Sequence, residues 1–378
     1  MRRFFFLICL SVLSSEFASA GNVTARVSGG QLFVYGDSGD NTVTIESFQP
    51  GEIQVIGSPS PNGEMTMVNG QAGSVTTFTG WTGGVFCYMQ AGSDSVSLPF
   101  AAIRGPAHFD LGEGHDDLII GSLPMIPESA LTNGAQGIDG FVDFQSSLFV
   151  MGANGDDYVS MVNSKVKYGT TFDLGDGADE LLVGDNSFAG TMVEFQSNCN
   201  VYPGSGIDSV HFAASVMRRS FLFDDSTSNL DLSLQGVTIG ENALIFGTSA
   251  KDSILLDNVT VVRLLQIFSE QDEDSVRLIS TKCETLEVFA GSGVDQVELA
   301  SITAKTIRAF LDSGADTLNV TFGNFQKMFF YGGSENDRFN VSTTNASELH
   351  LFGDGGTDTL VRSANSIGTT RLYSVENQ

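Results

Sequence analysis

The sequence predicts an all-β fold, a right-handed parallel β-helix with coils of about 21 residues, on three observations. A glycine-rich acidic turn is written thirteen times between Gly36 and Asp358, each time running into a short β-patterned stretch. In the C-terminal half the turn aspartates Asp252, Asp274, Asp295, Asp316, Asp337 and Asp358 recur at an almost constant interval. Such a period marks a solenoid. The segments before the turns, such as Leu286-Glu-Val and Leu349-His-Leu, alternate apolar and polar residues as half-buried strands do. A unit this short cannot bury a core alone and must stack on its neighbours. The Leu-x-x-Leu-x-Leu signature of a leucine-rich horseshoe is missing, and no amphipathic helical pattern interrupts the chain after Ala20.

Taken in order, residues 1–20 read as a secretory signal peptide: Arg2 and Arg3, the apolar run Phe4 to Leu13, then Ala18-Ser-Ala20. Residues 21–378 read as one solenoid, irregular and loop-decorated over 21–201 and regular over 202–378. The first unit is Gln31 to Ile45, followed by alternation from Glu52 to Val55, and residues 58–82, with Pro59, Pro61 and Gly63, read as a lateral loop or degenerate coil. Turns resume at Asp94, Asp116 and, after an irregular stretch near 122–135, at Asp156-Asp157, Asp179 and Asp208. One coil is degraded, with Asp224 to Asn229 replacing the glycine form. Thirteen to fifteen coils are expected.

The formal charge of −27 includes Arg2, Arg3 and Glu16, so without residues 1–20 it is −27 − (2 − 1) = −28. Such a chain repels nucleic acid, no basic patch is visible along it, and cations are the expected partners. No segment after Ala20 reaches transmembrane length, so the expected location is secreted or cell-surface. Cys87, Cys199 and Cys283 allow at most one disulfide, and their spacing identifies none.

Gly112-Glu-Gly-His-Asp116-Asp-Leu, Gly175-Asp-Gly-Ala-Asp179-Glu-Leu and Gly353-Asp-Gly-Gly-Thr-Asp358-Thr-Leu resemble the hemolysin-type (RTX) calcium-binding repeat, Gly-Gly-x-Gly-x-Asp-x-hydrophobic-x. That resemblance implies calcium held between successive turns by carboxylates and main-chain carbonyls. One acidic turn per coil, instead of tandem nonapeptides, restricts calcium to one edge. Stacked carboxylates also repel one another, and calcium accepts flexible sets of oxygen ligands. The expected calcium residues are the paired positions Asp37 with Asp40, Asp110 with Asp116, Asp173 with Asp179, Asp312 with Asp316, and Asp354 with Asp358. To these are added Gly112, Asp156, Gly175, Asp208, Asp295 and Asp337. The alternative is that each aspartate caps its own turn and stays solvated.

An aromatic stands six residues before each turn aspartate, or before Asn229: Tyr202, Phe223, Phe246, Phe268, Phe289, Phe310, Tyr331 and Phe352. It packs at the corner or forms an outward stripe able to meet sugar rings or a partner protein. The enzyme reading, a polysaccharide lyase or glycoside hydrolase, rests on His115, Asp116 and Asp117 with Arg104, a cluster inside a repeat turn. The four histidines show no mutual spacing that builds a site. The reading reached is a secreted, calcium-binding structural or adhesive β-solenoid, not an enzyme, with calcium ions and extracellular glycans or surface proteins as partners.

Overall fold

The computed structural model describes residues 21–375 apart from 62, 74, 123–139, 186–191 and 226–228. The expected signal peptide and most of the irregular stretch near 122–135 lie outside the described residues. Among those described there is no helix, and the strands stack into a parallel β-solenoid of three sheets with 17, 15 and 7 strands. One coil shows the pattern. Leu264–Phe268 lies in the 17-stranded sheet, the acidic turn 269–274 follows, and Ser275–Ile279 lies in the 15-stranded sheet. A single left-handed residue, Ser280 (φ 50°), turns the corner. A short third side, bridged at Lys282 to Thr260 and Thr303, then returns the chain to Thr285–Phe289.

Alternation dictates the core. Burial along Leu264–Phe268 and its stacked neighbour runs intermediate, buried, intermediate, buried, intermediate, so every second side chain points inward. Phe109, Phe144, Phe172, Phe195, Phe212, Phe221, Phe330 and Phe339 are fully buried. Pairing keeps identical offsets from coil to coil, as in Phe289 opposite Phe310 and Phe310 opposite Tyr331. Coils of nearly equal length produce that register.

The 15-stranded sheet contains two antiparallel strands, Glu52–Gly57 and Val75–Thr79, and its other thirteen stack in parallel, giving about twelve turns between first and last. That is fewer than the thirteen to fifteen coils expected, because part of the chain before Phe100 folds back on itself. Asn22–Ser28 runs antiparallel to Gln31–Tyr35, and residues 58–82 contribute the pairs Met67–Val68 with Gln71–Ala72 and Glu52–Gly57 with Val75–Thr79. The segment read as a loop or degenerate coil is thus a set of hairpins closing one end of the stack. Cys87 and Cys199 are buried and Cys283 half-buried, all three as free thiols.

Candidate functional site

The acidic corner joins the 17-stranded sheet to the 15-stranded one. The chain turns on two left-handed residues, four and two positions before the aspartate, for example Gly291 (φ 92°) and Gly293 (φ 148°) before Asp295. Close stacking explains the glycine: a Cβ on Gly314 would come 1.4 Å from the Gly293 carbonyl oxygen of the adjacent coil. Where Asp272 and Glu335 take this place, φ narrows to 76° and 75°.

The aspartate that ends the turn points inward. Asp116, Asp179, Asp208, Asp295, Asp316, Asp337 and Asp358 are at most 2 % exposed. Each Oδ1 accepts the backbone N–H of the same position one coil earlier. Asp274 N–H donates to Asp295 at 2.9 Å, Asp295 to Asp316 at 2.8 Å, Asp316 to Asp337 at 2.9 Å and Asp337 to Asp358 at 2.9 Å. The same bond links Asp94 to Asp116, Asp116 to Asp157, Asp157 to Asp179 and Asp179 to Asp208. The result is a carboxyl ladder inside the corner, interrupted at Leu230. The solvated cap considered from sequence is corrected: the aspartate serves its neighbour coil, since that N–H has no other acceptor in a turn.

The second oxygen of these carboxyls is poorly served. Oδ2 of Asp116, Asp157, Asp179, Asp208, Asp295, Asp316 and Asp337 is buried without a hydrogen-bond partner. Burial therefore raises these carboxyls, against the backbone N–H bond that lowers them, and neighbouring carboxylates add to the rise. The values reach about 8 for Asp94, Asp157 and Asp274, about 7 for Asp179 and Asp316, and about 6 for Asp116, Asp295 and Asp337.

The other expected residues lie outside this ladder. Asp110 and Asp173 face outward from the 17-stranded sheet, opposite Tyr88 and Tyr202. They do not join Asp116 and Asp179 in the corner, because a position on the strand and one inside the turn lie six positions apart. Gly112 and Gly175 are left-handed hinge residues, and so are the exposed Asp312 and Asp354 (φ 65° and 64°). Asp37, Asp40 and Asp156 sit on the outer lip, where Asp40 accepts the Ser93 N–H and Asp156 the Ala178 N–H. The donors are of the type calcium takes: unpartnered carboxylate oxygens among main-chain carbonyls. Among the described residues, however, no three acidic, histidine or cysteine side chains converge, so any ion would draw its ligands from adjacent coils.

The aromatic positions form an outward column. Phe246, Phe268, Phe289, Phe310, Tyr331, Phe352 and Tyr373 stack with centroids 4.6–4.9 Å apart and ring planes within 3–8°. Phe223 is not in it, and neither is Tyr202, which lies opposite Asp173. Leu230, not Asn229, takes the aspartate position opposite Asp208, so Asp224 pairs with Phe246 and Phe223 turns into the core. Both sequence alternatives hold in part: the rings face outward, yet pack on one another. Their faces are consumed by stacking, which leaves edges for solvent and removes the surface a sugar ring would stack on. Phe289→Leu breaks two stacks and should cost about 1–3 kcal/mol, read as a lower denaturation midpoint with unchanged slope. An unchanged midpoint would show that the column adds nothing to stability.

The enzyme cluster disperses. His115 is exposed at the lip against Asp156 (3.6 Å), Asp116 is buried in the ladder, and Asp117 faces out from the next strand. His211 meets Ser209 (2.9 Å) on the 15-stranded sheet, and His350 meets Glu348 (3.2 Å).

Acidic and basic residues alternate from coil to coil along the third side, which sequence order conceals: Glu241, Arg263, Glu284 and Lys305 follow one another in one column, Lys165 lies opposite Glu194, and Lys327 lies opposite Glu348. Among the described residues the third side and its return corner, from Ala101 onward, hold Arg104, Lys165, Lys167, Arg218, Arg219, Arg263, Lys282, Lys305 and Lys327 together with Asp143, Glu194, Glu241, Glu284 and Glu348. Opposite charges one coil apart are scattered in sequence but adjacent in space.

No family model matches the chain, and no curated protein matches it.

Proposed function

We propose that the chain is a secreted or cell-surface structural and adhesive solenoid whose acidic corner is neutralised by calcium. The observation supporting this is repetition with unmet need: coil after coil presents the same corner with a buried carboxyl oxygen lacking a partner. A catalyst concentrates its chemistry at one level of the stack, whereas here the corner chemistry is shared among many. Calcium would be held by the ladder carboxylates and the lip residues Asp37, Asp40, Asp156, Asp312 and Asp354, together with turn carbonyls, and would supply the positive charge the ladder lacks. Ligands from successive coils tie binding to the stacked state.

The test is thermal melting at pH 8 in chelator and in millimolar calcium. Calcium should raise the melting temperature by several degrees, and magnesium, which demands tighter octahedral geometry, much less. Asp156→Ala with Asp179→Ala should reduce the response. Identical melts in chelator and calcium would reject the calcium part of the reading. New reducing ends or unsaturated products from pectin or alginate, abolished by His115→Ala, would replace the structural reading with the enzyme one.

A further inference from the structure

We propose that the outward face of the 15-stranded sheet, from the Ser95–Leu98 strand to the Leu230–Gln235 strand, is a docking groove for a neutral β-1,4-linked glycan lying along the solenoid axis. The inference deepens the adhesive reading above and rests on it. A groove of about 750 Å³ runs there across six successive strands, a length of about 24 Å at about 4.8 Å per coil. One column lining it runs Ser97, Ile119, Ser160, Leu182 and His211, each opposite the next. The column beside it stays low at Gly121 and Gly184, which turn the corner without side chains (φ 80° and 78°). Along the first column Ile119 and Leu182 offer apolar contact, and Ser97, Ser160 and His211 alternate with them as hydrogen-bonding groups. The apolar contacts therefore recur every second coil, about 9.6 Å apart. A β-1,4-linked pyranose chain turns over at each ring and so repeats every second ring, and a ring is about as long as a coil is high.

Charge and polarity select the occupant. Among the described residues the lining holds no lysine or arginine, and Asp185 is its one carboxylate. Asp117, Glu180 and Asp231 are exposed on the neighbouring column, which also holds Tyr158. They repel a polyanion, whereas sugar hydroxyls donate to carboxylates. A basic peptide would find a single carboxylate inside the groove. An acyl chain would cover Ser97, Ser160 and Tyr158 with carbon and supply no hydrogen-bond partner. A second copy docked by the same face would bring the same three carboxylates against themselves. A neutral sugar chain has both the C–H surfaces that Ile119 and Leu182 require and the hydroxyls that the polar positions require.

The experiment passes the full chain over immobilised β-1,4-glucomannan and over dextran, a neutral polymer of different linkage. Glucomannan should retain the protein and dextran should not, and raising salt from about 0.1 to about 1 M should leave the retention in place. Ile119→Thr with Leu182→Thr keeps β-branched residues in the strands and should weaken retention by about ten-fold, since each change removes an apolar contact. The control Leu255→Thr with Val361→Thr makes the same kind of change in the same column beyond the groove and should alter it by less than about two-fold. Melting curves establish that both variants are folded. No retention of the parent on glucomannan, equal retention on dextran, or equal loss in the two variants would overturn the proposal. Retention that salt abolishes would show that charge holds the polymer and would overturn the neutral contact. Retention that first appears when residues 123–139 are replaced by a short glycine-serine link would assign the groove to that segment. Displacement by palmitate would assign it to an acyl chain, and a concentration-dependent mass that the threonine variant abolishes would assign it to a second copy. Failed retention alongside an intact calcium response in the melt would remove this inference and leave the structural reading standing.

Discussion

In chelator, the protein should melt on the order of 10 °C lower at pH 8.5 than at pH 5.5, the reverse of what paired surface carboxylates produce. The cause is the buried ladder. In the unfolded chain these aspartates ionise near 3.8, whereas in the fold burial holds Asp94, Asp157 and Asp274 near 8, Asp179 and Asp316 near 7, and Asp116, Asp295 and Asp337 near 6. Below about pH 4 both states are protonated and the ladder imposes no cost. As pH rises through the folded values the unfolded chain is already ionised while the fold resists ionisation, so stability falls until about pH 8 and then levels off. The general negative charge acts in the same direction, because it grows over this range and repels itself. Melts by circular dichroism at half-unit steps would show the slope, and a flat or rising profile would refute a ladder that holds protons. Calcium should restore more stability at pH 8.5 than at pH 5.5, since proton and cation compete for the same oxygens.

How far the sequence disclosed this is clear from single residues. An almost constant period placed Asp252 to Asp358 in one column, since equal coil lengths fix the register. Whether a turn aspartate points in or out was not legible. A turn has no alternation to follow, and the answer depends on a backbone N–H one coil away that needs an acceptor. Asn229 resembled the missing aspartate in type, yet Leu230 fills the place. Side-chain chemistry misled there, and only strand pairing decides. From Glu52 to Val55 a period of two announced a strand but carried no direction, and residues 58–82, broken by Pro59, Pro61 and Gly63, announced none, so the antiparallel end of the stack stayed hidden. The charge pairing of the third side was hidden for a related reason: Glu284 and Lys305 are distant along the chain but one coil apart in space.

Within the ladder, removing one carboxyl and replacing one should differ sharply. Asp295→Ala leaves the Asp274 N–H buried without the acceptor now 2.9 Å away and opens space in a close-packed corner, a loss of about 2–4 kcal/mol. Asp295→Asn keeps an acceptor oxygen for that N–H and removes the charge. Its new amide needs an acceptor of its own, and the chain already contains the solution. Asn41 begins the ladder, and its Nδ2 donates to the Gly39 carbonyl two residues earlier at 2.6 Å. Gly293 holds the corresponding place before Asp295. The asparagine variant should therefore stay within about 1 kcal/mol of the parent at pH 5.5 and exceed it at pH 8.5, where the parent must ionise a buried group. Extending the change to Asp274 and Asp316 should flatten the pH profile while preserving the fold, and urea denaturation at the two pH values measures both effects. If the asparagine variant were as damaged as the alanine one at both pH values, the corner would require the carboxylate as an anion, and calcium, not the proton, would be its partner.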